Sequence, residues 1–319
     1  MIVRWALEEL PGLLAELGVE RPFLVASLRW SPPVEVAGAW REVPSDRIEE
    51  AAEAAKDADG LLALGGGSAI DLTKAISAET GLPMVSVPTT YSGAEWTPSF
   101  GIRSHDRLGR GGGSGAHLAG VVYEPELTLG LPQAESVGTA LNALAHAAEA
   151  LYVRGRNAEG DREALAGAAL ISVWLPRVVE DGGDLEARRG LLEGAMHAGA
   201  ALAAGGLGLG HAMAQALGRR YGLPHGALNA ITLPGALRFN EPVAGAEIAR
   251  FGEAMSTRDP IARVEELARL GGFERLRDLG VPKAELAEVA ETAANRAGAQ
   301  ANPRPASPAE ISRLLASVW

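Results

Sequence analysis

The sequence predicts an α/β protein: a parallel-sheet domain over residues 1–135 followed by an all-helical domain over 136–319. Two observations carry the prediction. Roughly the first 130 residues alternate short apolar runs with helical patterns, the order strand, glycine-rich turn, helix, strand that builds a parallel α/β layer. From Ser136 onward the chain is rich in Ala, Leu, Glu and Arg with apolar residues three and four apart, and no convincing strand recurs.

The elements follow in order. Phe23-Leu24-Val25-Ala26-Ser27 reads as a buried strand. Residues 46–59 read as a helix, with Asp46 as its cap and Glu49 three residues on. Leu61-Leu62-Ala63-Leu64 is a second strand and 69–79 a second helix. Met84-Val85-Ser86-Val87 is a third strand, closed by Pro88. Val121-Val122-Tyr123 is a late strand before the turn Glu124-Pro125-Glu126. Helices are predicted at 136–153, 160–180, 185–204, 208–220, 243–256 and 283–298, and loose segments at 109–115 and 301–308. A ligand is expected in the cleft between the domains.

Composition narrows the function. With 47% hydrophobic and 22% charged residues the chain has ample material for a core. A net charge of −11 repels phosphate backbones and argues against a nucleic-acid partner. The absence of cysteine excludes disulfides, zinc–thiolate sites and a thiol nucleophile. Acidic residues and a proline interrupt the N-terminus before a signal-type apolar core, and no apolar run reaches a membrane span. A soluble, cytoplasmic protein with a small-molecule substrate is the expectation.

Two constellations carry chemistry. Gly65-Gly66-Gly67-Ser68 joins a strand to a helix. Glycines there let the backbone approach a bulky anion, and the free N–H groups of the following helix favour phosphate. The spacing is neither G-x-G-x-x-G nor a P-loop, and three glycines alone are somewhat more often a plain tight turn. Gly111-Gly112-Gly113-Ser114 has similar composition but reads as a flexible loop. Of six histidines, three have suggestive settings. Asn142 and His146 lie one helical turn apart, so they face the same way. His211 opens a helix, and His225 follows the return turn Gly222-Leu223-Pro224, which can bring the two together. Three imidazoles and one amide oxygen suit a divalent metal such as Fe or Zn; each histidine alone is more simply a hydrogen-bonded structural residue. His105, His117 and His197 are read that way.

Together these motifs resemble the iron-containing alcohol dehydrogenase superfamily and, within it, the maleylacetate reductases. The resemblance rests on the run from Gly65 to Lys74, on Pro88-Thr89-Thr90-Tyr91-Ser92-Gly93-Ala94-Glu95-Trp96-Thr97-Pro98, and on Tyr123-Glu124-Pro125-Glu126-Leu127. It continues in Leu141-Asn142-Ala143-Leu144-Ala145-His146-Ala147-Ala148-Glu149, Gly210-His211-Ala212-Met213-Ala214-Gln215 and Leu223-Pro224-His225-Gly226-Ala227. It implies a Rossmann-like N-terminal domain and a helical C-terminal domain in a dehydroquinate synthase-like fold. NAD(H) or NADP(H) would be held by Gly65, Gly66, Gly67, Ser68 and Asp71, with Thr89, Thr90 and Ser92 on the nicotinamide side. The family's metal ligands, one Asp and three His, map to Asn142, His146, His211 and His225. His146, His211, His225, Tyr91 and Gln215 become the catalytic candidates. The family also implies a homodimer.

Three departures matter. Asn142 stands for the Asp, as in maleylacetate reductases; it removes the one anionic ligand and argues against a tightly held metal. Gln215 stands where many relatives have a second histidine, and Gln cannot transfer a proton near neutral pH. The usual Asp after the first strand is replaced by Ser27, Leu28 and Arg29, and Arg29 suits the 2′-phosphate of NADPH. The leading reading is an NAD(P)H-dependent reductase that takes maleylacetate, or a substituted relative, to 3-oxoadipate in aromatic-compound degradation. Its rivals are a metal-dependent alcohol dehydrogenase or aldehyde reductase, a non-redox enzyme like dehydroquinate synthase, and a non-catalytic homologue.

Overall fold

A computed structural model describes residues 1–319. The chain forms two compact units, residues 1–90 with 94–130 and residues 91–93 with 131–319.

The first unit contains β1 (Ile2–Trp5), α1 (Leu10–Glu16), β2 (Pro22–Val25), β3 (Gly38–Trp40), α2 (Ile48–Ala54), β4 (Gly60–Gly65), α3 (Gly67–Thr80), β5 (Pro83–Pro88), β6 (Phe100–Arg103), β7 (Gly109–Gly113) and β8 (His117–Tyr123). Six strands make one parallel sheet in the order β1-β8-β5-β4-β2-β3. Successive residues of a strand point to opposite faces, and both faces are apolar. Phe23, Val25, Leu61, Ala63 and Met84 pack on one side against Ala51 of α2, Ala55 at its C-cap, and Ile70 and Ile76 of α3. Leu24, Leu62, Leu64, Val85 and Val87 pack on the other against Leu10, Leu13 and Leu14 of α1. Burial on both faces is why these strands read as continuous apolar runs rather than alternating ones.

Two local expectations are corrected. The glycine run at 109–115 is not a free loop: β7 pairs antiparallel with β6, Phe100 opposite Gly113 and Gly101 opposite Gly112. A Cβ on Gly113 would sit 2.8 Å from the Phe100 ring, so that ring takes the place of the missing side chain. Asp46 does not cap α2, whose N-cap is Arg47 without a side-chain hydrogen bond; Asp46 instead lies 3.7 Å from Arg110.

The second unit is helical: α4 (Gln133–Ala150), α5 (Ala158–Glu180), α6 (Leu185–Gly205), α7 (Leu209–Tyr221), α8 (His225–Ala254), α9 (Pro260–Arg269), α10 (Leu286–Ala294), α11 (Ala297–Ala301) and α12 (Pro308–Ser317). The helix expected at 243–256 is the second half of α8, which kinks at Ala244. The earlier half carries Pro234 inside it and is held by packing despite that residue. Residues 302–307 are irregular as expected, yet Asn302 is fully buried and exchanges two hydrogen bonds with Asn240, at 2.7 and 2.9 Å. None of the helices is long and apolar enough to cross a membrane.

The core helix is α4, packed against α5, α6 and α8. It is buried on every side from residue 140 to residue 150, the mark of a central helix. Within that apolar stretch stand three polar side chains, Asn142, His146 and Glu149. Buried polar groups are costly unless partnered, and their partners define the site.

Candidate active site

Glu149 has no exposure to solvent. The loop before α7 wraps around its carboxylate. Oε1 accepts from the Gly210 N–H at 2.7 Å and the His211 N–H at 3.3 Å; Oε2 accepts from the Gly208 N–H at 2.7 Å. These are first-turn donors with no partner inside the helix, and an anion there also meets the positive end of the helix dipole. The fourth contact reaches the site: His211 Nδ1 lies 2.7 Å from Glu149 Oε2. A carboxylate can only accept, so Nδ1 carries the proton and Nε2 faces away with its lone pair.

His211 Nε2 is buried and has no hydrogen-bond partner in the protein. Around it lie the other two predicted imidazoles. The His146 ring stacks on that of His211 with centroids 4.7 Å apart and planes at 17°. His225, the first residue of α8, lies 5.8 Å from His211 at 52°. The return turn from α7 to α8 thus brings together what the sequence spacing predicted. Glu149 was quoted in the motif but given no role. Its signal was available: an acid in an apolar helical run, three residues after a histidine, must be neutralised by something.

Asn142 does not present a metal ligand. Its Nδ2 donates to the Ser92 carbonyl at 3.0 Å and lies 3.5 Å from His146 Nε2, while its Oδ1 accepts from Asn229 at 2.7 Å. The partners fix the orientation of the amide, because a carbonyl oxygen such as that of Ser92 needs a donor. The group turned toward His146 is therefore –NH2, which repels a cation where an Asp carboxylate would attract one. No cluster of three His, Asp or Glu in the chain is arranged to hold a metal. The residues present do not fit a firmly held divalent ion.

The segment 91–93 belongs to the helical unit. Tyr91 is fully buried; its N–H donates to Thr139 Oγ1 at 3.3 Å and its hydroxyl accepts from the buried Arg188 guanidinium at 3.0 Å. Gly93 has φ +68°, and a Cβ there would meet the Ala195 carbonyl at 3.1 Å. These contacts account for Tyr91 and Gly93 as anchors of the segment that presents the Ser92 carbonyl to Asn142. Gln215, one turn after His211 on α7, accepts from Arg296 Nη1 at 3.2 Å.

In the first unit the glycine turn links β4 to α3 as predicted. Gly65 holds φ +155°, which L side chains rarely adopt, and a Cβ on Gly66 would lie 2.8 Å from Thr90 Cγ2. Gly66 is the N-cap of α3, so the N–H groups of Gly67 and Ser68 start the helix without intrahelical partners. Ser68 is exposed and Thr89 is buried, its N–H bonded to the Gly65 carbonyl at 3.1 Å. Asp71 is already engaged: Oδ1 pairs with the buried Lys74 at 3.2 Å and Oδ2 accepts from the Gly101 N–H of β6 at 3.2 Å. Ser27 and Arg29 lie in the turn after β2. The Arg29 guanidinium is exposed and stacks 4.7 Å from the Trp30 ring. His197, which showed no partner in the sequence, lies 2.6 Å from Glu163.

Comparison with known proteins accords with this arrangement. Residues 2–110 match the iron-containing alcohol dehydrogenase family, and residues 136–319 match the C-terminal part of the Fe-containing alcohol dehydrogenase family. A maleylacetate reductase of Delftia acidovorans is 34% identical over 290 residues, 89% of this chain and 82% of the relative. One of Burkholderia cepacia is 37% identical over 270 residues, 84% and 76%. The crystal structure of maleylacetate reductase from Agrobacterium tumefaciens superposes with a TM-score of 0.89 at 30% identity, covering 100% of this chain and 95% of that one. This chain belongs to the iron-containing alcohol dehydrogenase family.

Proposed function

We propose that this chain is an NAD(P)H-dependent reductase that converts maleylacetate, or a substituted maleylacetate, to 3-oxoadipate. The observation that carries the reading is His211: a buried imidazole, fixed through Nδ1 by a buried carboxylate, offering an unpartnered Nε2 beside two more imidazoles. It stands in a chain whose relatives include several maleylacetate reductases. The turn at Gly65 and Gly66 fits a dinucleotide, because it opens a 14-residue helix whose first N–H groups have no intrahelical partner and face an anion favourably.

Bound NAD(P)H supplies a hydride to the alkene carbon conjugated with the substrate ketone. Charge then grows on the ketone oxygen. Protonated at Nε2, His211 donates to that oxygen while Glu149 balances the imidazolium, the role a triad carboxylate plays. His225 is half-buried, and in this reading it returns a proton to the alkene carbon bonded to the ketone. Imidazole is the side chain suited to that exchange near neutral pH. Hydride and proton thus add across the double bond. Asn142 holds the segment 91–93 and places an N–H donor next to His146, so no step passes through a metal. Arg29 favours NADPH in this reading, a cytoplasmic setting supplies either nicotinamide, and the working form is a homodimer.

The test is a panel of maleylacetate, hydroxymaleylacetate and small aldehydes, followed by oxidation of NADH and NADPH, with and without added metal. Metal-independent turnover of a maleylacetate is expected. Turnover of aldehydes alone, dependent on added metal, refutes the reading.

A further inference from the structure

Arg296 is a cation without a counter-ion. Two other partly buried arginines of the helical unit meet carboxylates: Arg250 pairs with Asp161, and Arg304 with Glu310. Arg296 is half-buried, its Nε is fully buried without a partner, and another cation, Arg219, stands close enough to act on its charge. Burial first, and then that like charge, disfavour its charged form. Leaving a desolvated guanidinium unpaired is expensive, and an anion supplied from outside would relieve it.

One side-chain contact holds this guanidinium, the 3.2 Å bond from Nη1 to Gln215 Oε1. Gln215 is neutral, so it orients the group without quenching its charge; an acid at this position would quench it. Gln215 also stands one helical turn after His211 on α7, with Cβ atoms about 5–6 Å apart. The tether of the free cation and the imidazole with the unpartnered Nε2 therefore share one face of one helix.

We propose that Arg296, oriented by Gln215, receives a carboxylate of the substrate and makes the enzyme selective for dicarboxylates. A guanidinium presents parallel N–H donors that match a carboxylate, which an ammonium does not. The inference rests on the reductase reading for its substrate, while the anion site itself stands on Arg296 and Gln215.

Two measurements on the full chain separate the two. The first is calorimetric binding of adipate, a dicarboxylate that cannot be reduced, against its dimethyl ester. Wild type should prefer adipate, and R296Q should bind it about 10–100-fold more weakly, the worth of a charge-assisted bidentate contact. R296K should fall between them, and it carries the test if R296Q does not fold. The second is steady-state reduction of maleylacetate, where R296Q should raise KM with little change in kcat and none in the KM for NAD(P)H. Adipate binding that is absent in wild type, or equal in wild type and both variants, overturns the proposal. Arg296-dependent adipate binding without reduction of maleylacetate keeps the site and removes the reductase reading. Reduction with an unaltered KM in R296Q does the reverse.

Discussion

Replacing Glu149 by Gln removes one buried charge and turns one of two acceptor oxygens into a donor, with almost no change of shape. The oxygen that survives can still serve the Gly210 and His211 N–H groups. The new –NH2 then faces the Gly208 N–H and the protonated His211 Nδ1, each 2.7 Å from the present Oε2. Donor meets donor twice. His211 can escape by moving its proton to Nε2, which puts the wrong tautomer in the site, and the Gly208 N–H still stays unpaired. A lost charge-assisted bond and a stranded buried donor cost about 1.5–3 and 1–3 kcal/mol; their sum brackets the about 3–5 kcal/mol of breaking a buried pair, which we take as the total. For a unit of this size that lowers Tm by about 6–20 °C. Turnover with maleylacetate should fall by on the order of 10²–10⁴, the scale of losing a tautomer-fixing carboxylate. Thermal melts and kcat measured on the same preparation check both. A variant whose Tm stays within about 2 °C and whose kcat stays within about threefold would refute the argument that Glu149 sets the state of His211.

Three further outcomes follow from other contacts. Asn142→Asp replaces the donor to the Ser92 carbonyl with a repelling carboxylate and restores an anionic ligand beside His146. It should lower stability and raise retained zinc or iron by elemental analysis, whereas wild type should keep its turnover after chelation. Gly66→Ala places a Cβ 2.8 Å from Thr90 Cγ2. It should cost about 1–3 kcal/mol by overpacking and weaken nicotinamide cofactor binding in a titration, leaving adipate binding to the helical unit intact. Glu95 is fully buried, and desolvation holds its carboxyl above the ordinary range despite the pull of the Tyr123 hydroxyl at 2.7 Å. A carboxyl raised in the folded state binds more protons folded than unfolded. Its stabilising contribution is therefore full at acid pH and is lost as pH rises. Urea melts of Glu95→Gln across about pH 4 to 8 should lack that part of the decline; parallel curves for variant and wild type contradict it.

Much of this was legible because local signals agreed with the fold. Leu61 to Leu64 form an apolar run ended by glycines, and they form β4 and the turn into α3. The return turn between His211 and His225 was short enough to force proximity. What could not be read depended on partners distant in the chain. β7 is a strand because Phe100 lies opposite Gly113, and a glycine run has almost no strand preference of its own. Tyr91 is a catalytic candidate by its place in a motif, but its hydroxyl is met by Arg188, 97 residues away. Glu149 hid for the same reason: all four of its donors lie in one turn, 59 to 62 residues downstream. The amide of Asn142 could not reveal which end faces His146 until Ser92 and Asn229 were placed around it.

The most direct test follows the hydride. NAD(P)H deuterated at the transferable position is incubated with maleylacetate and the enzyme, and the product is examined by NMR. One deuterium should appear in 3-oxoadipate on the former alkene carbon farther from the ketone, with the solvent proton on its neighbour. Deuterium on a carbinol carbon, or product formed without any transfer from the cofactor, would contradict reduction of the alkene in a pocket of imidazoles set by Glu149.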